Sequence, residues 1–119
     1  LTADLADGAA FDPASGDWTL MPESPLRARR EAVSVWSGRE MVVWGGHEAA
    51  FAERQQGFAD GASYDPVSRR WRRFGDDSLT ARFTRGLWTS KGFFLWGGWS
   101  MDDSPSDLAD GAILSVGSS

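Results

Sequence analysis

The 119-residue sequence contains no cysteine, one histidine and one tyrosine. Without cysteine there are no disulfide bonds and no thiol chemistry, and cysteine usage cannot indicate a redox compartment. One histidine is too few for the usual metal-ligand sets and, with no nucleophile nearby, for a catalytic triad. Apolar runs stay well short of the roughly 20 residues of a membrane span. We therefore expect no metal, no other cofactor and no membrane partner, and we recognise no signal peptide.

Positive charge is also scarce. Twelve basic residues stand against 17 acidic ones, a formal net charge of −5. Nucleic-acid binding usually needs a basic face, so no nucleic-acid partner is expected. The longest basic run, residues 69–73, fits the solvated edge of a sheet, where alternation sends Arg70 and Arg72 to one face and the other three residues to the opposite face. Only Lys91 is a lysine, a bias typical of GC-rich bacterial genomes.

Glycine and aromatic residues are abundant instead. The chain has 14 Gly, 7 Trp and 7 Phe, a composition that suits short strands joined by tight turns. Its length fits one compact domain. The composition therefore favours an all-β fold.

Two sequence elements repeat along the chain. The tetrapeptide Ala-Asp-Gly-Ala occupies residues 6–9, 59–62 and 109–112, and its first two copies lead to an Asp-Pro pair and then to a tryptophan. Between these copies, residues 30–46 and 82–98 share a second pattern that ends in Trp-Gly-Gly. The two patterns recur with nearly the same period, 53 positions for one tryptophan pair and 52 for the other. A fixed period of this length indicates a repeat architecture.

Each period holds four strand-like runs. In the complete copy they cover residues 31–36, 40–44, 61–64 and 70–74. Three-residue linkers between the first and second runs predict antiparallel hairpins, and the Asp-Pro pairs predict type I turns in which the Asp side chain accepts a backbone N–H two residues on. Residues 48–56 are helix formers followed by a glycine, which predicts one or two helical turns inside a loop. The matching loop at 99–108 is expected to be irregular.

A strand, a tight turn, a strand that ends in Gly-Gly, a variable loop, then Tyr64-Asp65-Pro66 and Trp71 resembles the Kelch repeat, whose period is about 50 residues. The form from Trp36 to Gly46 is most similar to bacterial members. The resemblance implies a β-propeller built of four-stranded antiparallel blades, here a partial propeller of about two blades. The usual histidine before the first strand is absent.

The strand count assigns the chain as a single partial propeller in three parts. Residues 7–21 form a hairpin of third and fourth strands, residues 30–74 form a complete blade, and residues 82–116 form a blade without its last strand. Blades bury their apolar faces only against neighbours, so about two blades alone are expected to be marginal. The chain begins at Leu1 rather than Met, and we expect a processed or excised piece of a longer protein. The missing neighbours are either further segments of a parent chain or identical chains in a homo-oligomer.

The repeated residues are expected to be structural. The aspartates before each Gly-Ala are expected to accept backbone N–H groups, and the repeated tryptophans to pack between blades as buried side chains, Trp71 among them. Variation lies in the loops at 47–58 and 99–108, which is where recognition sits on a rigid scaffold. Trp99 has no counterpart, since the other repeat has a histidine there. The candidate ligand- or partner-binding residues are His47, Glu48, Arg54, Trp99, Asp102 and Asp103.

These observations favour a non-catalytic binding or scaffolding propeller that recognises a protein partner through its inter-strand loops. No catalytic residue is assigned, and the acidic residues at 102–107 lack the spacing of an EF-hand, so no metal ligand is assigned either. Two alternatives stay open. One is a lectin-like propeller that binds glycans through Trp99, and the other is a part of a larger propeller enzyme whose active residues lie elsewhere. The compartment is not readable from the sequence.

Overall fold

The structure, a computed structural model, describes residues 4–48, 57–75, 79–100 and 106–117, and every strand in them pairs antiparallel. The ten strands form three sheets. They are β1 (Ala9–Asp12), β2 (Asp17–Leu20), β3 (Val33–Trp36), β4 (Met41–Trp44), β5 (Gly61–Asp65), β6 (Arg70–Phe74), β7 (Phe83–Thr89), β8 (Gly92–Ser100), β9 (Ser106–Asp107) and β10 (Gly111–Leu114). The predicted all-β fold is therefore confirmed. The described residues contain no helix, and residues 49–56 of the predicted helical turn lie outside them.

The N-terminal sheet is a two-stranded hairpin, β1 paired with β2. Its turn is held by Asp12, whose Oδ1 accepts the backbone N–H of Ala14 at 2.9 Å. The turn between β5 and β6 is built alike, with Asp65 Oδ1 accepting the N–H of Val67 at 2.8 Å. These two bonds confirm the predicted role of the Asp-Pro pairs.

The central sheet has the order β3-β4-β5-β6, so each strand pairs with the next one along the chain. Alternation along β4 is strict: Val42 and Trp44 are buried, while Met41 and Val43 are half-buried. Consecutive residues of a strand point to opposite faces, so this sheet presents two distinct faces. One of them packs on the C-terminal sheet.

The C-terminal sheet has the order β10-β8-β7, and the short β9 pairs with the far end of β8. Among the described residues, nothing pairs with the outer edge of β10. The predicted irregular loop at 99–108 is thus partly strand, because β8 continues to Ser100 and pairs with β9. The sheet corresponds in strand order to the first three strands of the central sheet.

The main hydrophobic core lies between the central and C-terminal sheets. Val42, Trp44 and Phe74 of the central sheet share one buried cluster with the C-terminal sheet, and the remaining members of the cluster are Leu79, Phe93, Leu95, Leu114 and Val116. Large apolar side chains dominate the hydrophobic stabilisation of such a contact. The two sheets therefore form one stacked unit.

Strand β6 contacts segments on both sides of the central sheet. On one face, the indole N–H of Trp71 donates to the carbonyl of Pro22 at 3.0 Å, and Arg69 and Arg73 also donate to carbonyls of the 20–25 segment. On the other face, Arg72 Nη1 donates to the carbonyl of Val116, and its Nη2 bonds Glu40 Oε1 at 3.0 Å within the sheet's own segment. The predicted alternation is confirmed, but this strand is not merely a solvated edge, since its polar side chains bridge segments.

The repeated tryptophans differ in burial. Trp44 is 1% exposed, whereas Trp18, Trp36 and Trp96 are 70%, 56% and 68% exposed. The expectation that the repeated tryptophans are buried between sheets was therefore wrong for these three. Each lies on a face or edge that no described segment covers.

Candidate functional site

The two copies of the repeat differ at one end of their sheets. Glu31 and His47 in the central copy stand where the C-terminal copy has Phe83 and Trp99. Each pair joins the start of a first strand to the residue after Gly-Gly. The framework around these positions repeats, so the four residues mark a place where the two copies have different chemistry.

The central pair is polar. His47 is 5% exposed, and its Nε2 lies 3.2 Å from Glu31 Oε1. Its Nδ1 lies 2.9 Å from the carbonyl oxygen of Glu48. Both ring nitrogens thus lie within hydrogen-bonding distance of an oxygen atom. Glu31 itself has a φ of 60°, an uncommon conformation for a residue other than glycine.

The C-terminal pair is aromatic. Phe83 and Trp99 are direct partners in the β7–β8 register, and their rings meet edge to face at 5.4 Å and 89°. The imidazole of His47 lies 5.3 Å from the ring of Phe83. The three rings therefore form a row that passes from the central sheet to the C-terminal sheet and ends at Trp99, which is 36% exposed.

Glycine lets each Gly-Gly segment lie close to the backbone of the neighbouring first strand. Gly98, at φ 103°, lies so close to the first strand that a Cβ there would sit 2.4 Å from the carbonyl oxygen of Phe83. Gly46, at φ 92°, has the same relation to Arg30, whose carbonyl oxygen would be 2.6 Å away. Only glycine combines this positive φ with such close backbone approach. The Trp-Gly-Gly motif thus places residues 47 and 99 over the adjoining first strands.

An open groove of about 660 Å³ runs beside Trp99. We call it the Trp99 groove; its lining includes Glu31, Thr84, Arg85, Trp96, Trp99 and Asp107. The groove combines exposed indole surface with carboxylates and a guanidinium. It can offer stacking, hydrogen bonds and charges of both signs to a bound group.

Of the sequence-predicted site residues that the structure describes, Trp99 lines this groove. His47 contacts Phe83, which is part of the lining, and Glu48 bonds His47 through its carbonyl and forms an ion pair with Arg27. The other three, Arg54, Asp102 and Asp103, lie outside the described residues. Sequence reasoning did not select Glu31, Phe83, Arg85 or Asp107; the repeat alignment held a signal for the first two, which differ at an otherwise matched position.

A second repeated polar motif is structural. Arg29 Nη1 bonds Asp60 Oδ1 at 2.8 Å and the carbonyl of Gly45 at 3.0 Å. In the next copy, Arg82 Nη1 bonds Asp110 Oδ1 at 2.7 Å and the carbonyl of Gly97 at 3.1 Å. The predicted partners of these aspartates were backbone N–H groups, so the prediction was wrong about the donor: a guanidinium makes a stronger, charge-assisted bond.

The guanidinium has a measurable consequence. Arg82, which is 1% exposed, donates a side-chain hydrogen bond to Asp110 and lowers the pKa of that carboxyl below its ordinary value of 3.8. Within the described segments, Asp7 of the first copy faces no such arginine. The clamp thus occurs in the two sheets that contain a first strand.

Two further properties concern only the described part of the chain. No group of three or more histidine, aspartate or glutamate side chains there is placed to hold a metal ion. No helix there has the length and hydropathy to cross a membrane.

Comparison with known proteins gives a fold and no family. No family model matches the chain, and no curated protein does. Sixty-two chains of solved structures are similar. One of them, described as "Structure of YjhT", has a TM-score of 0.61 and 16% sequence identity, over 85% of this chain and 36% of that chain. At this identity the likeness shows the fold alone, and the chain spans about a third of that structure's length.

Proposed function

We propose that this chain is a non-catalytic binding or scaffolding module of the Kelch propeller type, and that it recognises a protein partner at the Trp99 groove. The observation that carries the proposal is the location of the residues at which the two copies of the repeat differ. Residues that differ between otherwise matched copies meet at one open groove. Recognition residues sit at the ends of a rigid framework in this way.

The framework supports the propeller part of the proposal. A four-stranded antiparallel sheet whose strands follow chain order is the unit of a propeller blade. The C-terminal sheet repeats the first three strands and stacks face to face on the central sheet. In this proposal the N-terminal hairpin is the outer half of a third blade.

The chemistry of the groove favours a peptide segment as the bound group. The exposed Trp99 indole supplies apolar area, and tryptophan and arginine are enriched among residues that dominate protein interfaces. Arg85 and Asp107 stand on the same groove and can pair with side chains of either sign. The buried imidazole of His47, paired with the exposed Glu31, contacts Phe83, and the Phe83 ring in turn contacts Trp99.

A peptide selection tests this proposal. A phage-displayed random peptide library is panned on the 119-residue chain, and binders are measured by fluorescence anisotropy. Trp99→Ala is expected to weaken the selected peptides roughly 30-fold or more, the loss typical of a hot-spot residue. Trp36→Ala is the matched control, because that indole is 56% exposed and lies away from the groove. Binders that lose affinity equally in both variants would place recognition elsewhere.

A lectin-like function is the second candidate, since an indole beside carboxylates and a guanidinium also suits a saccharide. A glycan array with wild type and Trp99→Ala distinguishes the two. If the chain binds saccharides through Trp99 and selects no peptides, the partner is a glycan rather than a protein. If Trp99→Ala weakens neither peptide binding nor saccharide binding, both candidate functions are contradicted.

A further inference from the structure

The C-terminal sheet has an uncovered apolar side. We call it the outward face; it consists of Leu87, Phe94, Trp96 and Ile113, which are 58%, 42%, 68% and 44% exposed. Leu87, Phe94 and Ile113 are direct cross-strand neighbours, so their side chains adjoin on one surface. A contiguous apolar surface of this kind usually marks an interaction site.

The repeat shows what such a face packs against. The matching positions of the central sheet include Val42 and Trp44, which are 0% and 1% exposed. They are covered by the opposite face of the next sheet, through residues such as Phe93, Leu95 and Leu114. The contact within the chain therefore joins two different kinds of sheet face, the one with Val42 and Trp44 and the one with Phe93 and Leu95. The outward face is of the first kind, and no described residues of the second kind cover it.

The second kind of face is also exposed, at the other end of the chain. In the N-terminal hairpin, Phe11 stands at the repeat position of Tyr64 and thus of Leu114 in the core. Phe11, Trp18 and Leu20 are 48%, 70% and 76% exposed, and the Phe11 and Trp18 rings lie 5.0 Å apart. We call these three residues the hairpin face.

We propose that the outward face of one chain is a docking surface for the hairpin face of a second copy. The contact continues the sheet stacking seen within the chain. Charge favours it as well: residues 4–20 contain four aspartates and no basic residue, and Arg85 lies beside Trp96 in the β7–β8 register. Because two different surfaces meet, the contact is heterologous, and copies add head to tail into a ring or an open chain.

Sedimentation velocity of the 119-residue protein over a range of concentrations tests this proposal. Wild type is expected to self-associate. Phe94→Lys on the outward face and Trp18→Lys on the hairpin face are each expected to weaken association roughly 30-fold or more, because each places an ammonium group in an apolar contact. Val67→Lys is the matched control, since Val67 is 90% exposed in the β5–β6 turn, on neither face. It is expected to associate like wild type.

Mixing the two variants gives the sharpest result. Phe94→Lys keeps its hairpin face and Trp18→Lys keeps its outward face, so an equimolar mixture is expected to form a two-chain complex and nothing larger. Circular dichroism checks that each variant is folded, and Leu87→Lys replaces Phe94→Lys if the latter is not. A wild-type monomer at all concentrations overturns the proposal. So does normal self-association of Trp18→Lys, which would mean that the outward face pairs with itself. Peptide binding at Trp99 is measured separately, so failure here leaves the proposed function intact.

Discussion

Trp44 and Trp96 occupy the same position in the two copies of the repeat, yet Trp44 is 1% exposed and Trp96 is 68% exposed. Both lie on the second strand of their copy and directly precede Gly-Gly. Phe74 of the fourth strand and the apolar side chains of the C-terminal sheet lie in one core cluster with Trp44. The described residues supply no fourth strand beside β10 and no further sheet over Trp96. In a repeat protein, burial is set by the neighbours of a sheet as much as by its own residues.

The arginine–aspartate clamps give the opposite comparison. The ion pair has nearly the same length in both sheets. The nitrogen–oxygen distance is 2.8 Å between Arg29 and Asp60 and 2.7 Å between Arg82 and Asp110. Arg29 directly precedes the 30–74 segment and Arg82 begins the 82–116 segment, and each bonds an aspartate of the segment that follows. Contacts internal to a repeat are therefore reproduced, and contacts between repeats depend on what is stacked beside them.

The largest expected effect separates the two tryptophans. Trp44→Ala is expected to lower the free energy of unfolding by about 3–5 kcal/mol, as for other buried aromatic side chains. Trp96→Ala is expected to change it by less than about 0.5 kcal/mol, because the indole is largely exposed. Urea unfolding at low protein concentration, where chains do not associate, measures both. Equal losses would contradict the comparison, since they would require Trp96 to be covered.

The framework was predictable from the sequence because its signals are local. The alternation along β4, the short linkers and the Asp-Pro pairs each specify a strand or a turn within a few residues, and the four-stranded order follows from them. The exposure of Trp18 and Trp96 was not predictable in this way. Their exposure depends on whether another segment packs against them, and no residue within the repeat specifies this.

An intermediate effect is expected at Trp71 and its repeat partner Trp18. Trp71 is half-buried, and its ring contacts that of Tyr64 at a tilt of 46° with centroids 5.0 Å apart. Its indole N–H donates to the carbonyl of Pro22 at 3.0 Å. We expect Trp71→Ala to cost about 2–3 kcal/mol, below the range for a fully buried aromatic because part of the ring is already in water. Trp18→Ala is the matched control and is expected to cost less than about 1 kcal/mol. Chemical denaturation with both variants checks this, and a loss below about 1 kcal/mol for Trp71→Ala would place that ring at the surface.

The candidate site was only partly predictable. Trp99 was found because it breaks the repeat, and the same comparison at residue 31 would have selected Glu31 and Phe83. Arg85 and Asp107 gave no such signal, since they reach the groove through the β7–β8 pairing and the short β9. Residues that meet through pairing between distant segments carry no local pattern.

The smallest expected effect tests whether the Arg82–Asp110 ion pair stabilises the folded chain. Because Arg82 lowers the pKa of Asp110 in the folded chain, the unfolded chain takes up this proton first as the pH falls. The stabilisation is complete above the ordinary value of 3.8 and is lost as the pH drops through the lowered pKa. Asp110→Asn is therefore expected to be less stable than wild type near neutral pH. The difference in free energy of unfolding between the two proteins is expected to narrow as the pH falls below 3.8. Asp17→Asn, an exposed carboxylate of the hairpin, serves as control. Urea unfolding at a series of pH values measures this difference, and a difference that stays constant through the acid range would show that the Arg82–Asp110 ion pair contributes nothing to folding.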